Sequence, residues 1–60
     1  MQKSDTHDYA YSLYAAHGDK SLAEAAQRAR QFEENGKHDD AHTWRSIAAT
    51  IRELRGPKAS

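Results

Sequence analysis

The stretch Asn35-Gly36-Lys37-His38-Asp39-Asp40-Ala41 constrains this chain more than any other, because it separates two segments of helical periodicity by only a few residues. Gly36 follows the last periodic residue of the first segment, where a left-handed C′ residue ends a helix. Asp39 and Asp40 stand where acidic side chains favour the start of the next helix dipole. So short a junction predicts a tight antiparallel helical hairpin.

A third helix precedes the pair. It is predicted over residues 5–16, with Ser4 or Asp5 as cap and Gly18 of His17-Gly18-Asp19 supplying the terminating turn. Ser21 stands three residues before Glu24, the spacing of a capping box, and opens a second helix over 21–35. The last helix covers 38–55, stopped by Gly56-Pro57, with residues 56–60 as a frayed tail. Few β-branched residues and no period-2 alternation compete with this reading. The expected fold is all-α, a single three-helix domain over residues 1–60 built on the hairpin.

Each helix has an apolar face. Leu22, Ala25, Ala26, Ala29 and Phe32 follow the i, i+3, i+4 rhythm in the second helix, with Gln27, Arg30, Gln31 and Glu34 opposite. Ala41, Trp44, Ile47, Ala48, Ile51 and Leu54 form the stripe of the third, leaving His38, His42, Arg45, Ala49 and Arg52 on its other side. In the first, Tyr9, Ala10, Leu13, Ala16 and His17 cluster, with Tyr11 on the far face and Tyr14 at the border. The Ala-lined stripe admits close helix approach, and Trp44 with Phe32 is expected to fill the widest part of the hairpin.

That core is small. Hydrophobic residues make up 37% of the chain, but half of them are alanine. The large candidates are Leu13, Leu22, Phe32, Trp44, Ile47, Ile51 and Leu54, supported by Tyr9 or Tyr14. At roughly 1.5–3 kcal/mol per large side chain fully buried, against about 1–2 kcal/mol per residue ordered, a solitary domain of this length is marginal. Without cysteine, neither a disulfide nor a thiolate metal site adds to it. Self-association is the natural remedy.

The formal charge is zero but unevenly placed. Residues 1–41 carry five basic and eight acidic side chains, whereas 42–60 carry Arg45, Arg52, Arg55 and Lys58 against Glu53. Opposed charges suit antiparallel self-packing as well as an anionic partner. The neutral total lacks the footprint of a nucleic-acid binder, although Arg45, Arg52 and Arg55 form a stripe of possible anion contacts extended by His42 and Lys58. A perpendicular helix-turn-helix reader is disfavoured by the antiparallel junction at Gly36. No apolar run reaches the length of a membrane span, and no signal-peptide core follows Met1-Gln2-Lys3, so the expected compartment is the cytoplasm.

His38 and His42 lie one helical turn apart, the spacing of helical metal sites, and His38-Asp39-Asp40-Ala41-His42 echoes H-E-x-x-H with Asp at the general-base position. No third ligand is specified and Asp is shorter than the Glu of such mechanisms, so two solvent-facing histidines are expected, with no metal and no cofactor. His17 is read as a helix-terminal residue facing the dipole. Ser12, Thr43 and Ser46 lack a His–acid arrangement, and the three isolated glycines cradle no phosphate. A catalytic role is not expected.

Gly36 to Ala41, followed by Trp44 and Ala48 and preceded by Ala29 and Phe32, resembles the turn and helices of one tetratricopeptide unit. Arg28 replaces its usual Leu and Glu53 its usual terminal Pro, and a single unit lacks the stacked neighbours that bury a repeat's faces. The set His17-Gly18-Asp19, an Ala/Arg-rich second helix, and Trp44, Ile47 and Ala48 is similar, over about residues 9–55, to small bacterial helical proteins of unknown function. That resemblance implies a fold and no activity. The expected role is a non-catalytic protein-interaction module, self-associating as a homodimer or binding another protein, with Tyr11 and Tyr14 as contact residues. A nucleic-acid-associated regulator working through the third helix, and a metal binder through His38 and His42, are the alternatives.

Overall fold

The computed structural model describes residues 3–56, with side chains from Asp5 to Gly56. Three helices run in order: α1 (Lys3–His17), α2 (Lys20–Glu34) and α3 (His38–Arg55). Helices α2 and α3 share the largest contact, α1 packs mainly on α3, and it touches α2 least. The domain is all-α, as the periodicity predicts. The predicted stop at Pro57, Lys58 and the tail beyond it, and the side chain of Ser4, lie outside the described residues.

Helix α1 extends beyond both predicted bounds. It begins before Asp5, which sits in its first turn rather than at its cap, and it includes His17. Gly18 follows with φ +61°, and its N–H donates to the Tyr14 carbonyl at 2.7 Å, a 5→1 bond that closes the helix. The capping box predicted from Ser21 and Glu24 does not form. Asp19 is the residue before α2, without a side-chain cap, and Ser21 is fully buried with its hydroxyl donating backwards to the Gly18 carbonyl at 2.6 Å. The Ser21 N–H donates to the same oxygen at 3.0 Å. Ser21 therefore locks the first turn, and Glu24 is left to act elsewhere.

The second turn forms as Gly36 predicts. Gly36 has φ +77°, the Lys37 N–H donates to the Phe32 carbonyl at 2.8 Å, and the Gly36 N–H donates to the Glu33 carbonyl at 3.1 Å. Those two bonds are the 6→1 and 5→2 pair of a Schellman ending. Asn35 is the C-cap one residue past α2, and its side-chain amide donates to the Gln31 carbonyl at 2.9 Å. Asp39 and Asp40 occupy the first turn of α3.

The core is built from smaller side chains than predicted. Ala10, Ala25, Ala29, Ala41, Ile47 and Ile51 are its buried hydrophobics, and Leu13, Tyr14, Leu22, Trp44 and Ala48 pack against the central cluster while partly exposed. The stripe of α3 matches its predicted face throughout. On α2, Ala26 is exposed and Ser21 takes the buried position. On α1 the face is rotated: Thr6, Ala10, Leu13 and Tyr14 turn inwards, whereas Ala16 and His17 are exposed. That set follows the i, i+4, i+7, i+8 spacing of one helical stripe.

Trp44 does not sit at the centre. It is partly buried, with the Tyr9 ring edge-on at 5.7 Å and the Arg28 guanidinium 5.3 Å from its centroid. Tyr9, predicted as core, is 44% exposed and acts as a cover for the indole. Phe32 is likewise only partly buried. One residue from each helix thus meets at Trp44, through an aromatic edge and a cation–π contact.

Two substitutions measure this reading by urea melts followed by circular dichroism. Ile51→Ala should cost about 2–5 kcal/mol by removing a fully buried side chain. Gly36→Ala should cost about 1–2 kcal/mol through the backbone alone, since an added methyl meets no atom within 4 Å at this positive φ. A parent-like melt for Ile51→Ala would show that the core is misassigned.

Candidate interaction surface

Charge pairs fasten the hairpin at both ends. Glu33, near the end of α2, accepts from His38 Nδ1 at 2.9 Å on one carboxylate oxygen and from Arg45 at 3.0 Å on the other. At the opposite end, Arg55 Nε lies 3.5 Å from an Asp19 carboxylate oxygen. The start of α2 therefore lies beside the end of α3, which makes the pair antiparallel. Across the first turn, His17 Nδ1 donates to Glu24 at 2.6 Å, so His17 reaches a carboxylate rather than the carbonyls of its own helix. All four pairs involve solvent-exposed groups, and each contributes at most about 1 kcal/mol.

These pairs engage part of the basic stripe on α3. Arg45 and Arg55 have carboxylate partners within the chain, leaving Arg52 as the member of the predicted trio in no ion pair among the described residues. The two histidines are also separated in role. His38 is held by Glu33, while His42 is exposed on a depression between α1 and α3 that also takes in Thr6, His7, Thr43, Ser46, Thr50 and Glu53. In that depression Thr43 and Thr50 turn their hydroxyls onto the carbonyls of Asp39 and Ser46, at 3.1 and 3.0 Å. Among the described residues, no three His, Asp or Glu side chains gather as a metal site would require.

The tyrosines divide as well. Tyr14 packs against the central cluster while remaining partly exposed. Tyr11 is 59% exposed. Tyr9 and Tyr11, two residues apart on a helix, point to different sides and do not make a continuous patch.

A second open face lies between α2 and α3. A groove of about 440 Å³ has Ala26, Ala29, Ala48 and Ala49 as its floor and Arg30, Glu33, Glu34, Arg45 and Arg52 as its rims. No residue of α1 lines it. Glu33 and Arg45 are bonded to each other across it, while Arg30, Glu34 and Arg52 are in no ion pair among the described residues. Its methyl floor brings no polar group to a small ligand, and its open shape suits a helix surface. The helical period puts Ala49, Arg30 and Glu34 on outer faces and Ala26 in the apolar stripe, whereas in the structure Ala26 and Ala49 are both exposed. No helix among the described residues is long and apolar enough to cross a membrane.

No family model matches this chain, and neither the curated proteins nor the solved structures contain a match.

The placement of His38 and His42 leads to a measurable expectation. Zinc should leave the melting temperature unchanged, and His38→Ala with His42→Ala should retain the parent's helicity. A structural zinc site would instead stabilise by many kcal/mol, on the order of 10 in small zinc domains. A large zinc-dependent rise abolished by the double variant would restore the metal-binding alternative.

Proposed function

We propose that this chain is a non-catalytic protein-interaction module that self-associates as a homodimer. The observation that carries the reading is the mismatch between a buried core of four alanines and two isoleucines and the uncovered α2–α3 face beside it. A domain that buries so little large apolar surface gains from covering that face with another chain. The net charge of zero adds no long-range repulsion between copies. The resemblance to small bacterial helical proteins extends the proposal to a bacterial cytoplasm.

A nucleic-acid partner is a weaker reading, because the chain's net charge is zero and two of the three stripe arginines already have carboxylate partners within it. Catalysis is not proposed. The surface depressions bring no nucleophile, base and acid together in one arrangement among the described residues.

Sedimentation equilibrium at micromolar concentration should return twice the 6.8 kDa of one chain. The melting temperature should rise with protein concentration, as mass action requires of coupled folding and association. A monomer with a concentration-independent melt would reject the homodimer.

A further inference from the structure

Resting on the self-association reading, we propose that the two copies exchange α1, each α1 packing on the hairpin of the other copy with Gly18 as the hinge. The exchanged chain carries one continuous helix from Lys3 to Glu34. Four observations support it.

The first is the backbone of the turn. Asp19 has helical dihedrals, φ −64° and ψ −23°, and His17 and Lys20 belong to their helices. Gly18, at φ +61°, is the residue that takes the chain out of the helical path. The second turn has no such single hinge, because Gly36 at φ +77° is followed by Lys37 at φ −94° and ψ 74°. Gly18 is also the one glycine between Lys3 and Glu34, a span without proline.

The second is hydrogen bonding. The Gly18 N–H donates to the Tyr14 carbonyl, which is an i→i−4 bond of a helical ladder. Helix α2 starts with no side-chain cap, and the Asp19 N–H makes no backbone bond among the described residues. A right-handed Gly18 lets the N–H groups of Asp19, Lys20 and Ser21 take the carbonyls of Ala15, Ala16 and His17. Two helix ends with groups left over become one uninterrupted ladder.

The third is how lightly α1 is held. Among the described residues it buries Thr6 and Ala10, with Leu13 and Tyr14 partly buried, and its ion pair to α2 joins exposed groups. The α2–α3 contact is larger than either contact of α1, so α1 detaches more readily than the hairpin opens.

The fourth is fit. The hairpin surface that receives α1 is complementary to it, and a second copy brings an identical α1. Exchange restores Ala10 to the Ile47 and Ile51 cluster, Tyr9 to Trp44 and His17 to Glu24, now between chains. Reciprocal exchange closes on a two-fold axis and needs no new surface.

The test reads one distance within a chain, alongside sedimentation equilibrium. The chain has no cysteine, so Asp8→Cys with Gln31→Cys, both at exposed positions, carries a pair of spin labels. Excess unlabelled parent ensures that dipolar spectroscopy reads the intrachain pair. A continuous helix separates these positions by about 35 Å at 1.5 Å per residue, whereas the folded-back chain holds them under about 20 Å apart. The parent dimer should give the long distance. Gly18→Ala meets no atom within 4 Å and acts through the backbone. Alanine is disfavoured in the turn and favoured in the helix, so the dimer should tighten about thirtyfold per copy, roughly a thousandfold in all. Asp19→Pro should give a helical monomer with the short distance, because proline suits φ −64° at the start of α2 but breaks a helix interior. A parent dimer with the short distance, or a Gly18→Ala chain that associates no more tightly, would overturn the exchange while self-association stands. A monomeric parent would overturn both. Should Asp19→Pro fail to fold, the parent's distance and the Gly18→Ala response decide.

Discussion

The contact on which the rest depends is the packing of Ala25 of α2 against Ile47 and Ile51 of α3. Ala25 places no side chain beyond Cβ at this contact, and the two isoleucines become fully buried despite the short chain. Helix α1 adds Ala10 to the same cluster, again a methyl, and supports it with Leu13 and Tyr14. The design exchanges side-chain volume for proximity. Its consequence is that little large apolar surface is buried, and the larger rings of Trp44, Tyr9 and Phe32 remain at the margin.

Both turns serve that contact. The Schellman ending at Gly36 reverses the chain within three residues, and the Glu33 carboxylate bonds to His38 and Arg45 just beyond it. Ser21, with two bonds to one carbonyl, does comparable work at the first turn. The pairings have a second effect on function. They give Arg45, Arg55 and His38 partners within the chain, while Arg30, Glu34 and Arg52 stand around an alanine floor in no ion pair among the described residues.

Much of the architecture was legible because its determinants are local. Gly36 and Gly18 ended their helices with the predicted left-handed backbone, and the stripe from Ala41 to Leu54 on α3 turned inwards as its period requires. Errors arose where two local patterns were equally available. Ser21 and Glu24 matched a capping box, but burial of Ser21 sent its hydroxyl to the Gly18 carbonyl and freed Glu24 for His17. Tyr9, Leu13 and Ala16 read as one stripe of α1, yet Thr6, Ala10, Leu13 and Tyr14 did so equally well, and only the partner helices choose between them.

The sequence by itself therefore determined three helices, their turns and the inward face of α3, because hydrogen-bond closure and helical period act over a few residues. The tertiary structure alone decided the rotation of α1, the placement of Trp44 under Tyr9 and beside Arg28, and the pairing of Arg55 with Asp19. It also decided which charges stay unpaired around the Ala26 and Ala49 groove. Those outcomes join residues distant in the chain, whose distances depend on how closely the alanine faces let the helices approach. No local pattern encodes that spacing.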